Sequence, residues 1–149
     1  AYTLRALSGV TWKYTDAVSQ ERLAKLLLDV VPYDWTASGT PLVNAVRAGL
    51  IPAVDASGGN VRREQAIRAI VALYQKKTGE KPVPSNPAAW SDFTDWSGVD
   101  TACLPAVRFA VENGLVTGNG SSLLNPDRTV TMGEMLVLIE RSLTLSGDL

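Results

Sequence analysis

The 149-residue chain contains no histidine, and this absence removes whole classes of chemistry. Ser-His-Asp and Cys-His catalytic sites are impossible without it, and so are the common zinc sites that include histidine. The single cysteine, Cys103, excludes an internal disulfide, and its apolar sequence neighbours indicate a residue of the core. No pair of carboxylates stands in an apolar, pKa-raising setting, so we expect a protein that is not an enzyme.

The chain also has almost no net charge, because its 14 basic and 15 acidic residues sum to -1. Without a basic surplus we expect no nucleic-acid partner. No apolar run approaches the roughly 18 residues of a membrane span, so we expect no membrane insertion. Asp92, Asp95 and Asp100 do not follow the calcium-loop spacing, and we expect no metal and no cofactor. Residue 1 is Ala rather than Met, so we expect a mature product or an excised segment, with any signal peptide outside it.

Two segments of the chain repeat one pattern of residues. The first reads Tyr33-Asp34-Trp35, Ala45-Val46-Arg47 and Gly49-Leu50-Ile51, and the second reads Phe93-Thr94-Asp95-Trp96, Ala106-Val107-Arg108 and Gly114-Leu115-Val116. The aspartate and the Ala-Val-Arg run are equally far apart in both segments, whereas the glycine comes one helical turn later in the second. The repeat predicts a first helix in each segment, longer by one turn in the second.

Three further segments, which open with Val18, Val61 and Val130, share an apolar stripe. Counted from each valine, the residues at offsets +5, +6, +8, +9 and +13 are apolar in all three segments. They are Leu23, Ala24, Leu26, Leu27 and Val31; Ala66, Ile67, Ala69, Ile70 and Tyr74; and Met135, Leu136, Leu138, Ile139 and Leu143. The offset +7 is occupied by Lys25, Arg68 and Val137. This spacing predicts an amphipathic helix in each segment.

Capping residues set the predicted boundaries of these helices. Thr131 and Glu134 form the T-x-x-E capping-box pattern ahead of an apolar run. Further caps are expected from Ser19, Asp34 and Asp95 at the starts of helices or turns, and from Gly49 and Gly114 at helix ends. The predicted helices cover residues 19–31, 38–48, 61–77, 100–113 and 132–144, and residues 1–17 are interpreted as a shortened helix and loop.

The ordered motifs resemble the S-layer homology (SLH) family. Its repeat runs from aromatic-x-Asp through a first helix, Gly with two aliphatic residues, and an aromatic-x-Pro turn to a Thr-Arg-Ala-Glu helix start. The last part of the chain carries Phe93-Thr94-Asp95, Gly114-Leu115-Val116-Thr117-Gly118, Leu124-Asn125-Pro126 and Val130-Thr131-Met132-Gly133-Glu134. Residues 33–77 are similar and close with Val61-Arg62-Arg63-Glu64-Gln65, and residues 15–31 are similar over one helix.

The resemblance implies an all-α fold, in which tandem two-helix SLH-type repeats pack as a pseudo-threefold helical bundle with polar loops. We expect a degenerate first unit at residues 1–31, a second unit at 32–78, a Pro-rich linker at 79–90 and a third unit at 91–149, together one structural domain. The resemblance also implies a secreted protein of the bacterial cell wall or S-layer. It would bind secondary cell-wall polysaccharide, often at a pyruvylated sugar, in the grooves between units.

The family's arginine in Thr-Arg-Ala-Glu is matched by Arg63, whereas Gln20 and Met132 stand at the other two places. Because an arginine fork binds a carboxylate through paired hydrogen bonds, we expect at most one groove to keep the anion contact. Arg62 and Arg63 oppose the dipole at a helix start, which favours an anionic ligand there. A solvated surface pair is the alternative interpretation.

Aromatic and loop residues complete the candidate glycan site. Trp35 and Trp96 can stack on sugar rings, or they can pack at the rim of the core. Gly118 and Asn119 lie in the loop that borders the family's groove, and a tight loop without ligand contact is the alternative.

Two functions remain open from the sequence. The first is a non-catalytic anchoring module that binds an anionic cell-wall polysaccharide. The alternative is a protein–protein or self-assembly module of a surface-layer protein, with other surface-layer chains as partners, that has lost glycan binding. Gln20 and Met132 favour the alternative, because neither side chain can form the family's anion contact.

Overall fold

A computed structural model of the chain describes residues 11–31, 39–55, 59–117 and 122–148. Within these ranges lie five α-helices: α1 (Gln20–Val30), α2 (Pro41–Arg47), α3 (Arg63–Thr78), α4 (Leu104–Glu112) and α5 (Met132–Leu145). Short 3₁₀ helices cover Ala53–Asp55, Pro87–Asp92 and Trp96–Gly98. The described ranges contain isolated β-bridges but no strand, which agrees with the predicted all-α class.

The five predicted helices are confirmed to within about one turn at each end. The expectation for residues 1–17 is tested over its last part only. Residues 11–17 form irregular backbone and a turn, as the loop part of that expectation requires, whereas residues 1–10, where the shortened helix would lie, are outside the described ranges. The first repeated helix therefore has no helical partner immediately before it in the described part of the chain.

The predicted caps of α1 and α5 are confirmed. The hydroxyl of Ser19 accepts a hydrogen bond from the N–H of Arg22 at 3.0 Å. Thr131 accepts through its hydroxyl from the N–H of Glu134 at 3.3 Å, and the Glu134 carboxylate accepts from the N–H of Thr131 at 3.1 Å. These bonds satisfy N–H groups that have no partner inside the helix, so the two starts are fixed by local sequence.

Asp95 is not the cap that its sequence position predicted. Its carboxylate accepts hydrogen bonds from the N–H groups of Leu124 at 2.7 Å and Asn125 at 2.9 Å. An N-cap needs extended backbone, but Asp95 has φ -104° and ψ 36°, so it makes no capping bond to the 3₁₀ helix that follows. Asp95 instead ties the segment before α5 to the segment before α4. Asp34 lies outside the described ranges.

Three valines at the starts of the repeated helices meet at one place. The N–H of Val61 donates to the carbonyl of Val18 at 2.7 Å, and the N–H of Val130 donates to the carbonyl of Val61 at 2.9 Å. The N–H of Val18 donates to the carbonyl of Val130 at 3.3 Å, which closes a ring of three hydrogen bonds. All three valines are fully buried. This valine ring brings the first residues of α1, α3 and α5 together.

The apolar stripe of the three repeated helices forms much of the core. All but two of its residues are buried, and the remaining two, Tyr74 and Leu136, are partly buried and pack against the others. Cys103 belongs to the same cluster, as its sequence neighbours indicated. Around this core α1 packs on α2, and α3 contacts both α4 and α5. The burial of these residues therefore confirms the helical period that the apolar stripe predicted.

Glu112, the last residue of α4, holds the Pro-rich segment against the helix. Its carboxylate accepts hydrogen bonds from the N–H groups of Ser85 at 3.0 Å and Asn86 at 2.6 Å, and from the indole N–H of Trp90 at 2.9 Å. The guanidinium of Arg108 lies 4.3 Å from the centre of the Trp90 ring, a cation–π contact. The predicted linker is thus docked on α4.

We predict that the thiol of Cys103 is unreactive in the folded protein. Burial raises its pKa to about 11, so the reactive thiolate is scarce at neutral pH and the sulfur is also inaccessible. Labelling with a thiol-reactive disulfide dye should be roughly a thousandfold slower than in the urea-unfolded chain, because labelling requires opening of the core. The variant Thr101→Cys, at an exposed position nearby, should add one fast-reacting thiol. Fast labelling of the unmodified folded chain would contradict this.

The variant Glu112→Gln should lower stability in a pH-dependent way. Burial pushes the pKa of the Glu112 carboxyl upward, but the N–H donors of Ser85, Asn86 and Trp90 outweigh it and hold the pKa below its ordinary value. A carboxylate with a depressed folded pKa stabilises the protein above its unfolded pKa of about 4.3, and this contribution is lost as pH falls through the folded value.

The measurement is the free energy of unfolding from urea titrations of both proteins. The difference between wild type and Glu112→Gln should be present near neutral pH and shrink below about pH 4. Glu140→Gln, a change at an exposed glutamate on α5, is the control. A difference that stays constant over the whole pH range would show that the carboxylate charge does not hold the segment.

Candidate functional site

Arg63, the first residue of α3, reaches across to the start of α5. Its guanidinium forms an ion pair with Glu134, and its Nε donates to the carbonyl of Leu124 at 2.8 Å. The Arg63 side chain is only 13% exposed. The arginine that the sequence singled out is therefore held in a fixed position where α3, α5 and the segment before α5 meet.

A pocket of about 230 Å³ opens at this junction. Besides Arg63 and Glu134, its lining includes Val116, Val137 and Arg141. Charged and apolar side chains therefore face the same space, which is the mixture that a polar ligand with some C–H surface requires. We call this space the Arg63 pocket.

Cations outnumber carboxylates around the Arg63 pocket. Both Arg63 and Arg128 form ion pairs with Glu134, the second at 2.7 Å. Arg141 also lines the pocket, and within the described ranges it forms no ion pair. The lining therefore holds two guanidinium groups, Arg63 and Arg141, against the one carboxylate of Glu134, which Arg128 also contacts without lining the pocket.

Glu134 is a fixed negative charge within this arrangement. Burial alone would raise the pKa of its carboxyl, but hydrogen bonds from the N–H and hydroxyl of Thr131, the charge of Arg63 and a hydrogen bond from Arg128 hold the pKa below its ordinary value. The group is therefore ionised at neutral pH. Its role is to cap α5 and to orient Arg63, and it has no proton to donate.

Arg141 and Val137 are site residues that the sequence reasoning missed. Arg141 donates from its guanidinium to the carbonyl of Leu115 at 3.2 Å, which fixes its direction. Val137 is 42% exposed, although the corresponding positions of α1 and α3 carry Lys25 and Arg68. An apolar residue on an otherwise charged helix face was the sequence signal for this groove.

Arg62, the second predicted anion contact, is engaged elsewhere. Its guanidinium forms an ion pair at 3.0 Å with Glu64, whose side chain is almost completely buried. The other carboxylate oxygen of Glu64 accepts from the N–H of Asp100 at 2.9 Å. Arg62 keeps 41% of its side chain exposed, and among the described residues it is not part of the Arg63 pocket lining. The structure thus gives Arg62 a partner inside the protein.

Trp96 packs against the other tryptophan of the same region. Its indole N–H donates to the carbonyl of Trp90 at 2.7 Å, and the two ring centres are 6.4 Å apart. Trp96 is partly buried against the core and, within the described ranges, lies outside the lining of the Arg63 pocket. Its role in sugar stacking stays a prediction. Trp35, Gly118 and Asn119 lie outside the described residues.

The start of α1 is closed by a hydrogen-bonded network. Gln20 is 2% exposed, and its side-chain amide donates to Gln65 at 3.2 Å. Gln65 donates in turn to the carboxylate of Asp55 at 3.2 Å, and Asp55 forms an ion pair with Arg68. Every charge in this network has a partner of opposite sign, so this helix start offers no free cation to a ligand.

The first residue of α5 presents no cation either. Met132 is 1% exposed, and the N–H of Gly133 donates to the carbonyl of Tyr14 at 2.9 Å. The Tyr14 side chain covers Gly133 so closely that an added Cβ there would lie 3.2 Å from the ring. Contact with Tyr14 therefore accounts for glycine at this position, next to the buried methionine.

Two further structural features bear on what the site can do. Among the described residues, no three side chains of the His, Cys, Asp or Glu type come together as a metal site would require. No helix within the described ranges has the length and apolar character needed to cross a membrane.

The comparisons with known proteins bear on the last part of the chain. Residues 92–136 match the family model of the S-layer homology domain. No curated protein matches the chain. The matched range contains Asp95, Leu124 and Glu134, the residues that join the segments around the Arg63 pocket.

Domains of this family are non-catalytic modules that anchor proteins to secondary polymers of the bacterial cell wall, and they indicate association with the cell surface. The ordered motifs from Phe93 to Glu134 predicted this family from the sequence. Residues 92–136, which are 45 of the 149 residues, are therefore similar to the S-layer homology domain.

Proposed function

We propose that the chain is a non-catalytic cell-envelope anchoring module, and that it binds an anionic, pyruvylated secondary cell-wall polysaccharide in the Arg63 pocket. The observation that carries the proposal is the excess of guanidinium groups around a single carboxylate in this pocket. A volume of about 230 Å³ is below that of sites for drug-sized ligands, and it suits one sugar ring with its acidic substituent.

Arg63 and Arg141 would divide the recognition of the anion between them. Arg63 is already oriented by Glu134 and by the Leu124 carbonyl, so little side-chain entropy is lost when it contacts a ligand. Arg141 has no ion-pair partner within the described ranges, so its charge is available to the ligand carboxylate. A planar guanidinium can bind a carboxylate through two parallel hydrogen bonds.

The proposal includes three two-helix units around an approximate threefold axis, with unit boundaries at residues 1–31, 32–78 and 91–149 and a linker at 79–90. The valine ring supports this arrangement, because each valine uses its backbone in the same way towards the next. Of the three helix starts, those at Gln20 and Met132 present no cation. We therefore expect one glycan site per chain, between the second and third units.

The proposed location follows from the proposed ligand. A module that binds a wall polysaccharide through the arginines of this pocket acts outside the cell, at the cell wall or in the surface layer. The attraction between the arginines and a charged polymer is screened by salt, so anchoring would weaken as ionic strength rises.

A self-assembly module of a surface layer is the second candidate function. The buried residues Gln20 and Met132 favour it, because they leave two of three helix starts without a cation. In that case the chain would bind other surface-layer chains and not the wall glycan.

The variants Arg63→Gln and Arg141→Gln should each weaken binding to the pyruvylated glycan about tenfold or more, because each removes charge-assisted hydrogen bonds. Binding is measured by calorimetry with the purified polysaccharide at two salt concentrations. Lys25→Gln removes the same charge from an exposed position on α1 and should bind as the wild type does.

Slow labelling of Cys103 shows that each variant is folded before its affinity is compared. Equal affinities for Arg63→Gln, Arg141→Gln and the Lys25 control would contradict the site. No binding by the wild type, together with self-association in ultracentrifugation, would favour the assembly module.

Removal of the pyruvyl groups from isolated cell walls should abolish most of the sedimentation of the chain with those walls. The reason is that the carboxylate is the part of the ligand that the surplus guanidinium groups recognise. Walls treated in parallel under conditions that retain the pyruvyl groups are the control. Undiminished binding to pyruvyl-free walls would show that the recognised group is not the acid.

A further inference from the structure

We propose that the glycan site continues along α5 into a second groove, which binds the next sugar of the same polymer, and that this second sugar is neutral. The inference rests on the proposed function, because it assigns the occupant of a space that joins the Arg63 pocket.

The second groove has a volume of about 440 Å³ and lies between the end of α4 and the C-terminal half of α5. Val137 and Arg141 line both this groove and the Arg63 pocket, so the two spaces adjoin. The shared face of α5 runs from Gly133 to Leu145, a rise of about 18 Å at about 1.5 Å per residue. That length accommodates more than one sugar ring in a row.

The groove presents both kinds of surface that a sugar ring uses. Val137 is 42% exposed and Leu145 is 37% exposed, which leaves apolar area for the C–H face of a ring. Glu140 and Thr144 line the groove at helical spacing from Val137, so these side chains share one face of α5. Their oxygen atoms can bond to sugar hydroxyl groups.

Charge distinguishes the two parts of the site. The Arg63 pocket is lined by two arginines and one carboxylate. Among the described residues, the second groove is lined by one arginine, Arg141, and by the carboxylate of Glu140. An anionic sugar in the second groove would lie near Glu140 and be repelled. The acidic sugar therefore belongs in the Arg63 pocket and a neutral sugar beside it.

The end of α4 leaves room for this second sugar. Asn113 follows α4 and donates from its side-chain amide to the carbonyl of Phe109 at 2.9 Å, which leaves its carbonyl oxygen available. Gly114 comes next with φ 71°, and no atom lies within 4 Å of the place where a Cβ would stand. A residue with a side chain would be strained in that conformation, so the groove stays open at this point.

The experiment compares two ligands by calorimetry: the pyruvylated monosaccharide and an oligosaccharide in which the same sugar is linked to its neutral neighbour. Wild type should bind the oligosaccharide about tenfold more tightly, because the second sugar adds contacts without a second loss of translational freedom. Thr144→Tyr fills the second groove and should abolish this gain while monosaccharide affinity is retained.

Thr101→Tyr makes the same substitution at an exposed position away from the groove, and it should keep the full gain. A gain that survives Thr144→Tyr, or a wild type that binds both ligands equally, overturns the second groove while the Arg63 pocket stands. If wild type binds neither ligand, the anchoring function fails and the extension fails with it. Slow labelling of Cys103 again verifies that each variant is folded.

Discussion

The valine ring is the interaction on which the rest of the structure depends. A buried N–H or carbonyl without a partner is costly, and the ring satisfies these groups for Val18, Val61 and Val130 where the described chain has no sheet. Because the ring fixes three helix starts together, the first side chain of one helix lies beside the third side chain of another. Arg63 meets Glu134 in this way, and Gln20 meets Gln65.

The local features of the fold were predictable from sequence, and the contacts between distant segments were not. Helices and their stripe follow from a period of 3.6 and from caps such as the Thr131–Glu134 box, which act within one turn. Asp95 carried the same local signal as a cap, but its backbone angles are set by the fold and direct its carboxylate to residues about thirty positions away. Arg141 is placed in the site by its hydrogen bond to the carbonyl of Leu115, 26 positions away, and no short motif encodes such a contact.

The two helix starts without an arginine have other structural roles. Gln20 is part of a buried network that ends in the Asp55–Arg68 ion pair, and Met132 adds apolar area to the core. The sequence identified both as departures from the family's motif, since the residue type is visible there. It did not predict their burial, because burial depends on what the neighbouring segment, such as Tyr14 above Gly133, places over them.

The ion pair with Glu134 also affects which ligands Arg63 can bind, because the guanidinium already contacts a carboxylate of the protein itself. Any incoming acid competes with this internal carboxylate, which is held in place by Thr131 and Arg128. A small free acid gains little by replacing it, whereas a ligand with additional contacts can do so. Under the proposed function, the internal competitor favours attachment to a polymer over capture of the simple organic acids dissolved around a cell.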